Sequence, residues 1–245
     1  MTRRSALGRS FDVYYRDTAR ADRMDALNAQ FVPKGGLAFD IGAHVGDRTA
    51  SFRRLGAAVV TVEPQPKVFR ALRLIHGRDP NVALRCQAVG AQIGRIDLYI
   101  NSQNPTVSTA SQDLIAAARF AASWQRELWE TKICVPVTTL DELMSEHGVP
   151  DFIKIDVEGH ELEALEGLTT AVPALSFEFT VIQRKLALLC LERLAELGRY
   201  VFNYSLGEDH HLRLRRWADG KQMAQILRTL PDAVNSGDVY CRRDC

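Results

Sequence analysis

The sequence predicts an α/β fold, a doubly wound and mostly parallel sheet with helices on both faces. Short apolar segments alternate with helical segments of roughly 8–15 residues, which is typical of parallel strands joined by helical crossovers. Because such crossovers are right-handed, the sheet is expected to be doubly wound. A composition of 46% hydrophobic and 25% charged residues over 245 residues excludes a mostly disordered chain.

The first third of the chain shows the alternation most regularly. A polar helix is expected over 11–30, and the stretch Val32-Pro33-Lys34-Gly35-Gly36 ends it. We therefore expect residues 1–36 to form a helical extension and residues 37–245 to form the main domain. The elements expected next, in chain order, are strand 37–41, helix 47–55, strand 57–62, helix 66–76 and strand 82–87.

The alternation loosens over about 94–137, which predicts an inserted segment. A strand at 95–101, a polar loop to 111, a helix at 112–129 and a strand at 131–137 are expected there. The regular pattern then resumes, and the remaining elements are helix 140–147, strand 152–157, helix 161–171, strand 175–179, helix 182–197 and strands 200–204 and 237–242.

Charge and apolar patterning narrow the choice of partners. Lysine and arginine number 31 against 30 acidic residues, a net charge of +1, and a dedicated nucleic-acid binder usually has a strong basic excess. No apolar stretch is long enough to cross a membrane, and residues 1–9 lack the apolar core of a secretion signal. The five cysteines show no metal-binding spacing. We expect a cytoplasmic protein that acts on a small molecule, with no nucleic-acid or membrane partner; a homodimer stays open.

The first predicted strand ends in the glycine-rich turn Asp40-Ile41-Gly42-Ala43-His44-Val45-Gly46. Ligands of doubly wound sheets bind at the carboxyl ends of strands, and Glu63, at the end of the second strand, could accept hydrogen bonds from ribose hydroxyls. Dinucleotide sites use the spacing Gly-x-Gly-x-x-Gly, whereas here three residues separate Gly42 from Gly46. Asp40 would repel a pyrophosphate and attract an ammonium or sulfonium. These features favour S-adenosylmethionine over a dinucleotide.

Five motifs, in order, give the chain a resemblance to the FkbM family of S-adenosylmethionine-dependent methyltransferases. The most specific is Ile153-Lys154-Ile155-Asp156-Val157-Glu158-Gly159-His160-Glu161. The others are Phe39-Asp40-Ile41-Gly42-Ala43-His44-Val45-Gly46, Val62-Glu63-Pro64, Ala88-Val89-Gly90 and Thr139-Leu140-Asp141-Glu142-Leu143. The resemblance covers residues 37–180. It implies a class I methyltransferase fold, which is Rossmann-like with a seven-stranded sheet, and transfer to a hydroxyl of a small molecule or sugar.

The resemblance also implies a cofactor site. The glycine-rich turn with Asp40 would hold the methionine end of S-adenosylmethionine, or the corresponding end of the product S-adenosylhomocysteine. Glu63 would hold the ribose, and Ala88 and Val89 would border the adenine. The full set of expected cofactor residues is Asp40, Gly42, His44, Gly46, Glu63, Pro64, Ala88, Val89 and Asp156.

The expected catalytic residues are His160, Asp156 and Glu158. Removal of a hydroxyl proton needs a base, and His160 stands at the start of a predicted helix, whose dipole disfavours the imidazolium. Asp156 and Glu158 could orient His160, take the proton, or hold a metal with a third ligand, although no metal is expected. Glu178, at the end of a later strand, is expected to be a substrate or cofactor contact, or the partner of a buried lysine or arginine such as Lys154.

Two other classes of function stay open. One is a protein that binds S-adenosylmethionine without catalysis, and the other is a nicotinamide-dependent oxidoreductase. A base methyltransferase is disfavoured because Asp156-Val157-Glu158-Gly159 has no aromatic residue for stacking. The run Glu208-Asp209-His210-His211 is expected to be a solvated loop.

Overall fold

A seven-stranded sheet forms the centre of the computed structural model, which describes residues 8, 12 and 14–244. The strands are β1 (Leu37–Ile41), β2 (Ala58–Val62), β3 (Val82–Arg85), β4 (Ala88–Val89), β5 (Gly94–Ile100), β6 (Thr131–Thr138), β7 (Phe152–Ile155), β8 (Ala174–Thr180), β9 (Tyr200–Leu206) and β10 (Ser236–Arg243). The helices are α1 (Thr18–Asn28), α2 (Asp47–Arg54), α3 (Pro66–His76), α4 (Gln112–Ala118), α5 (Leu140–His147), α6 (Glu161–Glu166), α7 (Arg184–Leu197) and α8 (Gly220–Thr229).

The strand order of the large sheet is β3-β2-β1-β7-β8-β10-β9. The pairs β1–β2, β2–β3, β1–β7 and β7–β8 are parallel, whereas β10 runs antiparallel to both β8 and β9. The prediction of a mostly parallel, doubly wound sheet of seven strands is therefore confirmed. The order reverses between β1 and β7, and such switch points are where open α/β sheets bind ligands.

Helices cover both faces of this sheet, because successive strand residues point to opposite sides. On one face Phe39 and Ile153 pack with residues of α5, α6, α7 and α8 in the larger apolar core. On the other face Ala38 and Phe152 pack with Leu27 of α1 and Phe52 of α2. The result is a sheet held between two helical layers.

A buried polar row crosses the second face, two residues further along the parallel strands β1, β2, β7 and β8 than the apolar cluster of that face. Register pairs Asp40 with both Thr61 and Lys154, and Lys154 with Ser176. The row continues through Tyr240. Every side chain in it is almost fully buried: Thr61, Asp40, Lys154, Ser176, Tyr240 and Asn203. Alternation along the strands thus places polar groups directly beneath the carboxyl ends of the sheet.

The expected insertion forms a separate three-stranded sheet of order β4-β6-β5, with β5 and β6 antiparallel around Leu98 and Val135. The predicted helix at 112–129 is too long, since α4 ends at Ala118. Beyond it, Trp124 and Trp129 pack into a small cluster, and the indole N–H of Trp129 donates to the Val107 carbonyl at 2.8 Å. This inward packing takes the chain off the helical path.

Several further boundaries and elements differ from the sequence prediction. The third strand ends at Arg85, α6 ends at Glu166, and a 3₁₀ turn over Val181–Gln183 precedes α7. Helix α8 was not predicted. It does carry a local signal, a capping box in which Asp219 and Gln222 bond each other's backbone.

No helix within the described ranges is both long enough and apolar enough to span a membrane. The cysteines at 86, 134, 190 and 241 are free thiols, and Cys245 lies outside the described residues.

Candidate active site

A cleft of about 860 Å³, including its open mouth, lies at the carboxyl ends of β1, β2 and β7. It brings together nearly all of the residues that the sequence analysis selected from separate parts of the chain. The predicted site residues that line it are Asp40, Gly42, His44, Glu63, Pro64, Ala88, Val89, Asp156, Glu158 and His160.

The turn after β1 brings backbone against backbone at the floor of the cleft. Gly42 has a φ of +80°, and a Cβ there would lie 1.7 Å from the Asp156 carbonyl oxygen. Only glycine fits this close approach. Gly46, with a φ of +82°, has a different surrounding: its Cβ would meet Leu72 and His76 of α3. Gly46 is not among the residues that line the cleft; it stands immediately before α2, and its contact with the cofactor stays a prediction.

Glu63 joins the glycine turn to the end of β2. One carboxylate oxygen accepts the His44 N–H at 3.0 Å and the other accepts the Gln65 N–H at 2.8 Å. The side chain is 2% exposed, and burial raises its pKa to about 7 against the opposing effect of these hydrogen bonds. A carboxylate has about four acceptor positions, so capacity is left for hydroxyl groups of a ligand.

Asp40 supports the same turn from the polar row. Its carboxylate accepts the Thr49 hydroxyl, and that hydroxyl lies 3.0 Å from the one of Thr61. Burial raises the pKa of Asp40 to about 6, although Thr49 and Lys154 act in the opposite direction. Asp40 is therefore both a lining residue and part of the sheet's internal hydrogen-bond network.

Carboxylates crowd the end of β7. Oxygens of Asp156, Glu158 and Glu178 all lie within 4.8 Å of one another. The ammonium of Lys154 donates to Asp156 at 3.1 Å and to Asp238 at 2.7 Å. The alternative in which Glu178 pairs with Lys154 is therefore wrong. The lysine pairs instead with Asp238, which lies opposite Glu178 on the neighbouring strand β10.

The pKa values of two of these acids rise for the same reasons. Burial raises the pKa of Glu158 well above its usual value, and the charges of Asp156 and Glu161 add to the effect. Burial likewise raises the pKa of Glu178, with Asp156 and Glu158 adding to it. The site holds more negative groups than its one buried lysine can balance.

His160 stands just before α6 and is 9% exposed. Its Nδ1 lies 3.4 Å from a carboxylate oxygen of Glu163, and burial lowers its pKa. The neighbouring Glu161 accepts backbone N–H groups of Val157 and Gly159, which shapes the loop between β7 and α6. His160 is therefore a neutral imidazole at the wall of the cleft.

His44 is a second buried imidazole in the cleft. Burial lowers its pKa to about 4, so it is neutral over the physiological range. Its ring stands edge-on to Tyr14, with the ring centroids 6.0 Å apart.

The cleft residues that the sequence analysis missed include Tyr14, Arg48 and Glu208. Arg48 donates to Glu208 at 3.2 Å, and Arg20 of α1 pairs with the same carboxylate. Although burial acts in the opposite direction, these two guanidinium groups hold the pKa of Glu208 well below its usual range. Residues 208–211 form a loop, as predicted, and Glu208 and His211 are exposed. The loop is not wholly solvated, because His210 is buried and Glu208 pairs with arginines some 160 and 188 positions away, contacts that leave no local signal.

The fold and the cleft together define a class I methyltransferase, with a glycine turn after the first strand, an acid ending the second and an acidic loop ending the central one. The family model described as the methyltransferase FkbM domain matches residues 40–229. The chain belongs to the FkbM family of S-adenosylmethionine-dependent methyltransferases, as its motifs predicted.

Individual relatives are more distant. The chain is similar to the hexuronic acid methyltransferase AglP of Haloferax volcanii, with 26% identity over 141 residues. That match covers 57% of this chain and 52% of the relative, about half of its length.

Solved structures with a similar course of the chain include two methyltransferases. One is the precorrin-6y C5,15-methyltransferase of Geobacter metallireducens, with a TM-score of 0.48, 11% identity and coverage of 94% of this chain and 89% of that one. The other is an O-methyltransferase of Bacillus cereus in complex with SAH, with a TM-score of 0.47, 12% identity and coverage of 100% and 93%.

Proposed function

We propose that this protein transfers a methyl group from S-adenosylmethionine to a hydroxyl of a small molecule or sugar. The observation that carries the proposal is one cleft lined both by the glycine turn with Glu63 and by a neutral His160 beside carboxylates. The name of the relative AglP, a hexuronic acid methyltransferase, supports a sugar as acceptor.

The residues of the cleft fit this cofactor. The absence of a side chain at Gly42 leaves the backbone turn open to the methionine end, and Glu63 has acceptor capacity for the ribose hydroxyls. Ala88 and Val89 give an apolar border for the adenine. Asp40 and Asp156 favour a cation and disfavour a pyrophosphate, which argues against a nicotinamide dinucleotide.

When bound, S-adenosylmethionine supplies an electrophilic methyl group on a good leaving group. His160 accepts the proton of the attacking hydroxyl at Nε2, an atom next to Gly90 and without a hydrogen-bond partner among the described residues. Alignment of donor and acceptor in the cleft contributes roughly 7–11 kcal/mol in well-oriented systems, and a positioned base adds roughly 10²–10⁴-fold.

Replacement of the base tests the proposed reaction. His160→Asn should lower turnover of a hydroxylated acceptor by roughly 10²–10⁴-fold and leave the affinity for S-adenosylhomocysteine nearly unchanged. His211→Asn, at an exposed histidine, is the matched control and should retain full turnover. In the wild type, activity should fall as pH drops through the lowered pKa of His160, since only the neutral ring accepts a proton.

Other outcomes separate the alternatives. Near-normal turnover in His160→Asn would reject His160 as the base and leave methyl transfer standing. Binding of S-adenosylhomocysteine without turnover of any hydroxylated acceptor would favour a non-catalytic binding protein. Tighter binding of NAD than of S-adenosylhomocysteine would overturn the proposed cofactor.

A further inference from the structure

Three carboxylates from separate parts of the chain converge beside the proposed methyl-transfer position. Asp156 follows β7, Glu158 lies in the loop before α6, and Glu178 lies in the neighbouring strand β8. One oxygen of each lies within 4.8 Å of the other two. Oxygen atoms from three carboxylates at this separation can reach a common octahedral cation with small side-chain adjustments.

Glu158 gives an independent indication that something is bound there. Its side chain is only 8% exposed and points into the group, yet its carboxylate has no hydrogen-bond or ion-pair partner within the part of the chain described. Buried carboxylates are normally paired or coordinate a metal. An acid held inward without a partner therefore marks the position of a missing positive charge.

The protein's own cations do not supply that charge. Lys154 is almost fully buried, and its ammonium already donates to Asp156 at 3.1 Å and to Asp238 at 2.7 Å. Among the described residues it makes no hydrogen bond or ion pair with Glu158 or Glu178. A divalent cation is the compact group that could bridge all three carboxylates.

We propose that Asp156, Glu158 and Glu178 bind a divalent cation of the Mg²⁺ class. All three ligands are hard oxygen donors without a sulfur or imidazole, the set that suits Mg²⁺ or Mn²⁺ and not Zn²⁺ or Cu²⁺. This inference departs from the sequence-based expectation that no metal takes part. The third ligand, Glu178, was expected to contact a substrate or to pair with a lysine.

The location gives the cation a role in the proposed function, on which this part of the inference rests. Asp156 and Glu158 line the same cleft as His160, so an acceptor oxygen in the cleft could complete the coordination. A bound cation stabilises an alkoxide and lowers the pKa of a coordinated hydroxyl. It would also allow an anionic acceptor such as a uronic acid to approach this acidic wall.

Direct titration of the metal tests the site without cofactor or acceptor. Chelator-treated full-length protein is titrated with MnCl₂ at pH 8, and bound Mn²⁺ is counted by electron paramagnetic resonance. We expect one site in the wild type, weakened by about tenfold or more in Glu178→Gln and in Glu158→Gln. Glu192→Gln, at an exposed acid of α7, is the matched control and should bind like the wild type. Circular dichroism verifies that each variant is folded.

The outcomes decide the proposal in both directions. The proposal is overturned if the wild type at millimolar concentration binds no Mn²⁺ when the metal is in 10-fold excess over the protein. It is also overturned if folded Glu178→Gln binds Mn²⁺ as tightly as the wild type. Should one variant not fold, the wild-type titration and the other variant still decide. A parallel titration with S-adenosylhomocysteine keeps the two proposals apart, because loss of the metal site leaves the contacts of Glu63 and Gly42 intact.

Discussion

Glu63 should make cofactor affinity depend on pH near neutrality. Its carboxylate is buried, accepts two backbone N–H groups, and has its pKa raised from 4.5 to about 7 by burial. In the proposed binding mode the ribose hydroxyls donate to the ionised form, so binding requires loss of the Glu63 proton. Affinity for S-adenosylhomocysteine should rise with pH, flatten above about 7, and fall roughly tenfold per pH unit below it, or about 1.4 kcal/mol per unit.

The variant Glu63→Gln isolates this effect. At pH 8 it should bind S-adenosylhomocysteine more weakly by about 1.5–3 kcal/mol, the loss of a charge-assisted acceptor. Between pH 8 and 6 its affinity should lack the Glu63 slope, so the wild-type and variant curves converge as pH falls. Titration calorimetry at pH 8, 7 and 6 measures both curves.

Stability provides the control. A buried acid with a raised pKa holds its proton more tightly in the folded state, so its contribution to stability is greatest below pH 4.5 and is lost as pH rises to about 7. That loss amounts to about 3 kcal/mol, which Gln does not incur. Gln in turn gives up one backbone hydrogen bond worth about 1–3 kcal/mol, so overall stability should change little. If the affinity for S-adenosylhomocysteine depended on pH in the same way in the wild type and in Glu63→Gln, the assignment of Glu63 to the ribose would be refuted.

Two further predictions concern the floor of the cleft. Gly42→Ala should lower the free energy of unfolding by about 3 kcal/mol or more, since it combines a left-handed φ with a Cβ 1.7 Å from a carbonyl oxygen. The control Gly94→Ala, whose Cβ would have nothing within 4 Å, should change that free energy by no more than about 0.5 kcal/mol. Urea unfolding measures both variants, and equal effects would contradict the proposed close approach. Lys154→Met should cost about 3–5 kcal/mol at pH 8, because it leaves the 6% exposed Asp238 without a counter-ion. Denaturant titrations measure the loss, and a loss below about 1 kcal/mol would argue against the ion pair.

Local pattern was sufficient for most of the sheet. The bounds of β1, α3 and α5 agree with the sequence prediction at every residue, because apolar periodicity and flanking glycine or proline, or the N-cap Thr139 at the start of α5, mark their ends. The cleft residues of the turn after β1 and of the loop after β7 could also be predicted, since both follow strands that meet at one edge of the sheet.

The remainder depends on contacts between distant parts of the chain. Glu208 contacts Arg20 and Arg48 from far along the sequence, and Asp238 reaches Lys154 through the pairing of β10 with β8. No spacing along the sequence encodes either contact. In the small second sheet β5 and β6 were expected, but β4 was missed because a two-residue strand carries no periodicity.

Strand β10 lies between β8 and β9, although it follows both of them in the chain. Until residues 236–243 have emerged from the ribosome, one edge of β8 is therefore unpaired, and β9 has no neighbouring strand in the described sheet. Lys154 meanwhile lacks Asp238. Because unpaired strand edges promote association between chains, a nascent polypeptide halted before Ser236 is the form most in need of a chaperone.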